Sequence, residues 1–352
     1  MRYHLVTSLD INTWKKNKCN IVIGNNNLEN NINFSKFQYK ILNSSEVLGN
    51  SVNSKVEQIN KIFSIAFPLI CKKLNNFHNC DYSNRYWKII LGNWLFRCIS
   101  VIVYRFNITK KILSKYNITS ASIAIDQNNG LITKDSFSFI FSCEDQEWNS
   151  LLYGRIIDYL TDKNFAKSYK EIKLSKDFTC EKEKKINKFK KLIKDFFMIQ
   201  LPNYFYNEKD ALIIDSYLPK LDELKLNILL KQFPQRYKFP KIEYDYQLRR
   251  EEFGEIDTIS KDPIVKFFAK NLKYLLPICF VESYAEINNK LKKLPFPEKP
   301  KFIFTSNAYD FNEVFKVWAA KKCEQGYKYI VGQHGNNYNT HLFFGNKNLV
   351  EL

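Results

Sequence analysis

A chain of 352 residues, 45% hydrophobic and 16% aromatic, is long enough for two domains and too apolar to be disordered throughout. Its eight cysteines are scattered, with no CxxC pair and no histidine at metal-ligand spacing, so a zinc site is not expected; no cofactor is expected. The net charge of +18, from 54 Lys and Arg against 36 Asp and Glu, comes with an Asn-rich bias typical of AT-rich coding. It has no RNP, zinc-finger or basic-zipper pattern beside it, so nucleic acid is not an expected partner. A diffuse basic surface does suit peripheral contact with an anionic inner-membrane face.

In chain order, "MRYHLVTSLD" lacks the apolar core of an export signal and reads as a first strand, which with the unpaired cysteines points to the cytoplasm. Asn20–Gly24 reads as a second strand and Gln38–Leu42 as a third. Apolar residues at Val52, Val56, Ile59, Ile62, Ala66 and Ile70 share one helical face and predict a helix over 52–74. A second helix is expected from Asn84 to about Tyr116. Its stretch "IILGNWLFRCISVIVYRF" nearly spans a bilayer in length, but Arg97 lies at its middle. A central Arg costs ~2.5–3.5 kcal/mol on the insertion scale, so a helix buried in a protein core is expected. "TSASIAID" follows as a strand ending at Asp126. Strands alternating with long helices predict a parallel sheet with crossover connections.

Residues 166–198 are lysine-rich and read as one or two amphipathic helices, with Ile186, Phe189, Ile193 and Phe196 or Phe197 as the apolar stripe. Prolines at 202, 219, 234 and 240 punctuate a looser stretch, and "KKLPFPEKPK" marks a boundary near 300. Beyond it, "KFIFTSN" reads as a short buried strand, Asp310 as a cap with Glu313 at capping-box spacing, "EVFKVWAAKKCEQ" as a helix closed by Gly326, and "YKYIVGQHG" as the next strand. This β-α-β unit delivers Ser306, Asn307, Gln333 and His334 to the carboxyl ends of its strands, the edge where open parallel sheets bind ligands. Gly332 and Gly335 let the backbone turn sharply there. The expected organisation is 1–165, an N-terminal α/β domain; 166–300, a helical lysine-rich region; and 301–352, the start of a second Rossmann-like unit.

The segment "KFIFTSNAYDFNEVFKVWAAKKCEQGYKYIVGQHGNNY" resembles the signature of a family of bacterial surface-carbohydrate transferases, with a TSN strand end, an EVFK-W-A helix and a GQHGG-YG corner. "RYWKIILGNWL" at 85–95, "DSYLPKLDELKLNILLKQFPQRY" at 215–237 and "VTSLDINTW" near the start are similar to other parts of that family. The resemblance implies glycosyltransferase-like chemistry with two Rossmann-type halves in a GT-B-like arrangement. It also implies a nucleotide-sugar donor, a glycan or lipid-linked acceptor, and no metal. On that reading His334 would be catalytic, and the candidate bases are Asp10, at the first strand end, and Asp310 or Glu313 beside the TSN rim, with Asp10 preferred because the other two have a capping role to fill. Gln333, Gly335, Ser306, Asn307, Arg85 and Tyr338 would bind donor or substrate. Asn336 and Asn339 stand where the pattern has glycine, and the chain ends soon after the corner, so the second half is expected to be incomplete. The alternative is a non-catalytic glycan- or partner-binding module left by loss of the nucleotide half. A nucleotide-sugar epimerase is disfavoured, because no GxGxxG follows the first strand.

Overall fold

The computed structural model describes residues 1–23, 36–42, 47–48, 52–127, 129–179, 205, 207–234, 237, 239–244, 249–292 and 294–332. Strands β1 (Tyr3–Val6), β2 (Cys19–Ile23), β3 (Tyr39–Leu42), β4 (Ile118–Ile125) and β5 (Ala166–Glu171) form one sheet in the order β3-β2-β1-β4-β5. Every pairing in it is parallel. The chain order therefore reverses between β1 and β4, the topological switch of a doubly wound α/β sheet. A parallel sheet is covered on both faces, so its central strands bury nearly every residue: Leu5, Val6, Ile21, Val22, Ala121 and Ile123 are all at most 2% exposed. The architecture is α/β and Rossmann-like, as the alternation of strands and helices predicts.

His4 is the polar exception inside β1. It is fully buried, with Nδ1 2.8 Å from Ser120 Oγ and Nε2 2.9 Å from Ser122 Oγ, both on β4. Burial is the largest influence on it and lowers its pKa to about 4. The folded state thus holds His4 neutral, whereas the unfolded chain takes up a proton below ~6.5. Stability is full above that value and falls as the pH drops from ~6.5 towards 4, by an amount on the order of 3 kcal/mol. Thermal melts of wild type and His4→Gln across this window test it. The wild-type midpoint should fall more steeply, and parallel curves would refute the assignment.

Helices α1 (Val52–His78) and α2 (Asn84–Lys115) follow the first three strands. Ser83 caps α2 by accepting from Tyr86 N at 3.2 Å. By length and composition α2 could cross a membrane, but 67% of its apolar window is buried within the fold. Trp87, Leu91, Trp94, Ile99, Ile102 and Phe106 are all at most 1% exposed. After α3 (Ser136–Ser142), α4 (Gln146–Leu160) makes the crossover from β4 to β5. Gly154 lets α4 lie directly on the sheet, because a Cβ there would meet Ala124 O at 2.7 Å.

A second sheet joins β6 (Leu212–Ile214), β7 (Ile303–Thr305) and β8 (Tyr329–Val331) in that order, again all parallel. Between β6 and β7 run α5 (Lys220–Leu229), α6 (Arg249–Phe253), α7 (Pro263–Leu275) and α8 (Tyr284–Leu291). After β7 come the short α9 (Ala308–Phe311) and α10 (Glu313–Glu324). One hydrophobic cluster runs through α1, α2 and α4 into α7, α8 and α10, so segments far apart in sequence share a core.

Two local expectations change. Residues 166–171, expected to be helical, form the edge strand β5, and β6 also falls within the stretch read as helical. A lysine-bearing edge strand has weak alternation, which hides it from periodicity. The apolar stripe at 186–197 lies outside the described residues. Asp310 is not the cap of α10 either. Asn312 adopts the extended conformation and accepts from Phe315 N at 3.0 Å, while the Asp310 carboxylate is occupied elsewhere. Gly326 does end α10, with φ of 89°.

Candidate functional site

The carboxyl edge of the second sheet brings three short turns together. In register, Ile214 lies beside Thr305 and Thr305 beside Val331, so Asp215, Ser306 and Gly332 leave the sheet side by side. Ser306 N donates to Asp215 O at 3.0 Å, Ser306 Oγ donates to Ser216 O at 2.7 Å, and Gly332 N donates to Thr305 O at 2.8 Å. Thr305 Oγ1 accepts from the backbone N–H groups of Asn307 and Ala308 at 3.2 and 3.0 Å, which fixes the turn into α9. A Cβ at Gly332 would meet Ser306 Oγ at 2.5 Å and Phe304 Cζ at 2.7 Å. Only glycine permits this approach.

The turn after β6 is strained. Asp215 has φ of 46° and Tyr217 has φ of 55°, left-handed values costly for residues other than glycine and concentrated at functional sites. The strain is held by the partners just named, by Ser216 Oγ donating to Glu223, and by Asn307 Nδ2 donating to the Tyr217 hydroxyl at 3.0 Å. Tyr217 is 64% exposed and presents its ring to solvent. The Asp215 carboxylate makes no hydrogen bond among the described residues, and desolvation raises its pKa above the ordinary carboxylate value. Asp215 is exposed on this strained turn, which leaves the sheet beside Ser306, and an accessible carboxylate with a raised pKa is suited to accepting a proton from a bound hydroxyl.

Beside the rim, Arg97 of α2 grips Asp310 of α9 through two hydrogen bonds, of 2.7 and 2.6 Å. Asn93, one turn earlier, reaches the same carboxylate at 3.5 Å. Here lies the reason for an arginine in the middle of an apolar helix. Deeper in, Lys316 and Glu313 form a buried ion pair, Nζ to Oε2 at 2.7 Å, with side chains 1% and 3% exposed. Glu313 Oε1 accepts from Ser136 N at 3.0 Å, Lys316 Nζ donates to Ser136 Oγ at 3.1 Å, and the ammonium lies 5.6 Å from the Phe280 ring centre. The polar residues of the EVFK segment therefore clasp the amino end of α3, from the first half of the chain, to α10.

The residues expected at a site are dispersed. Ser306 and Asn307 are on the rim. Gln333, His334, Gly335 and Tyr338 lie outside the described residues, and Gln333 follows Gly332 directly in the chain. Asp10 is exposed after β1, where its carboxylate caps a 3-10 turn over Ile11–Thr13 by accepting from Asn12 N at 2.9 Å. Arg85 is exposed on the first turn of α2. Ser83 beside it bonds Glu324 at the carboxyl end of α10, and the charge of Arg85 is felt by Cys323. Arg85 is thus at the opposite end of α10 from Asn307, while its neighbours Tyr86 and Trp87 are fully buried. Asp215 is the rim residue that sequence reasoning passed over. The available signal was "LIIDSY", an apolar triplet running into polar residues. Among the described residues, no group of three or more His, Cys, Asp or Glu side chains could hold a metal ion.

Two parallel-sheet units joined by crossover helices, with polar residues gathered at a carboxyl edge, define an α/β protein of the Rossmann-like class. A family model described as "LIC12162 family transferase" matches residues 3–352, and the chain belongs to that transferase family. Searches of curated proteins and of solved structures found no match.

Proposed function

We propose that this transferase moves a glycosyl group from a nucleotide-activated sugar, an acidic sugar in particular, to a glycan or lipid-linked acceptor in cell-surface polysaccharide synthesis. The two sheets would serve as the halves of a GT-B-like cleft. The reaction would take place in the cytoplasm, with the net charge of +18 favouring the anionic membrane face where such acceptors are held. The observation that carries the reading is the strained Asp215–Tyr217 turn locked to Ser306 and Asn307 at the carboxyl edge of the second sheet.

In this reading Asp215 accepts the proton of the acceptor hydroxyl as its oxygen bonds the anomeric carbon. The bond from that carbon to the donor phosphate oxygen breaks, and the nucleotide leaves with the electron pair. Gln333 and His334, next in the chain after Gly332, would meet the phosphate charge. Asn307 and Tyr217 would orient the sugar.

The test is nucleotide release from a panel of nucleoside-diphosphate and CMP-linked sugars, with and without glycan acceptors. One donor should give acceptor-dependent release, abolished in His334→Ala. A folded protein that binds nucleotide sugar yet releases nothing from any donor would overturn the enzymatic reading and leave a binding module.

A further inference from the structure

A second cleft opens at the carboxyl edge of the first sheet, over the ends of β1, β2 and β3, walled by α2 on one side and the start of α4 on the other. Its volume is about 140 Å³, below the ~300–1,000 Å³ of pockets that take drug-sized ligands and cofactors. The floor is apolar, with Ile23, Leu42 and Ile108, and the wall carries Tyr104, Glu144 and Gln146. These last three side chains make no hydrogen bond to a described residue, so a residue with a phenol, one with a carboxylate and one with an amide border one small space with their polar groups unspent on the fold.

The described lining suits a neutral ligand better than a phosphate. Arg105, the only cation among the described lining residues, already spends two donors within the fold: its Nε donates to Asn149 Oδ1 at 2.6 Å and its Nη2 donates to Cys143 O at 2.9 Å. Glu144 places a negative charge at the mouth. No glycine lies between Thr7 and Gly24 to let backbone N–H groups close around an anion. A small ligand that is apolar on one face and rich in hydroxyl groups at its edge satisfies all of these groups. It would stack on Tyr104, donate to Glu144, and exchange hydrogen bonds with Gln146.

The cleft is linked to the rim by α2. Asn93, Arg97, Tyr104 and Ile108 fall on one face of that helix, and Arg97 holds Asp310 beside the rim while Tyr104 walls the cleft. Arg97 and Tyr104 are separated by seven residues, about 10 Å of helix.

We infer that this cleft is a saccharide subsite: it binds one neutral sugar ring of the acceptor, leaving the nucleotide donor to the second sheet. The assignment rests on the glycosyltransferase reading for its purpose, but not for its test. Saturation-transfer NMR on the full chain, with methyl glycosides of glucose, galactose and N-acetylglucosamine as probes and UDP and CMP measured separately, reads it directly. At least one glycoside should receive saturation. That signal should fall at least tenfold in Tyr104→Ala and in Glu144→Ala, while both variants keep the wild-type melting midpoint and nucleotide signal. His334→Ala, at a residue assigned to the donor phosphate, should show the reverse pattern. Absence of any glycoside signal, or its survival in both cleft variants, overturns the subsite and leaves the transferase reading standing. Loss of the nucleotide signal in the cleft variants overturns it differently, by making the cleft the donor site.

Discussion

Lys316→Met is expected to destabilise the protein by ~3–5 kcal/mol. The substitution leaves the Glu313 carboxylate buried without its counter-charge, and breaking one partner of a buried pair carries that cost. Glu313 keeps only the Ser136 N–H, and Ser136 Oγ loses the ammonium that it accepts from. The double variant Glu313→Leu/Lys316→Met should recover most of the loss, because well-packed apolar side chains replace a buried ion pair at little net cost. Denaturant unfolding of wild type, single and double variants measures both effects. A double variant no more stable than the single one would show that the site needs its charges for shape rather than for mutual compensation. The damage should not stay within α10, since the clasp joins α3 of the first half to the helix that follows β7. A single cooperative transition that shifts as a whole is therefore expected.

Asp215→Asn should reduce turnover by ~10²–10⁴-fold, the contribution of a positioned general base, with stability unchanged or slightly raised. Asparagine tolerates the left-handed conformation, so the φ of 46° is kept and only the charge is lost. The pH profile adds a second readout. A base must be ionised to work, and desolvation raises the pKa of Asp215. The acid limb of the wild-type profile should therefore lie above the ~3.9 of an unperturbed Asp, with activity rising as the pH increases through it. Asp215→Asn should lack that limb. Turnover within a few-fold of wild type in this variant would remove Asp215 from the chemistry, whatever its geometry.

The β-α-β unit after Pro300 was the most legible part of the sequence. "KFIFTSN" and "YKYIV" are short apolar runs, Gly326 has no role other than to stop a helix, and Ser306 and Asn307 follow a strand end directly. The first sheet was legible for a similar reason, since buried parallel strands leave near-continuous apolar runs such as "NIVIG". The rest was hidden by interactions that lie far apart along the chain. Capping-box spacing favours Asp310 as a cap, but an arginine more than two hundred residues earlier takes that carboxylate, and Asn312 caps α10 instead. Glu313 and Lys316 look like surface charges on a helix until α3 is packed over them. Asp215 was obscured because β6 is only three residues long and follows a lysine-rich stretch, so neither propensity nor periodicity marks where the strand ends. Arg85 shows the converse: its tyrosine-tryptophan neighbours pack the core, and the charge beside them is carried at the far end of α10.

Helix α2 touches the first sheet, the cleft and the rim as one unbroken rod of 32 residues, packed along most of its length. A rod of that kind is a gauge. Inserting one residue between Arg97 and Tyr104 would turn the two stations by ~100° relative to each other and lengthen the gap by ~1.5 Å. An acceptor seated by one ring in the cleft would reach the rim only with a further unit extending along the helix. Chain length, rather than ring identity alone, would then decide which acceptors qualify.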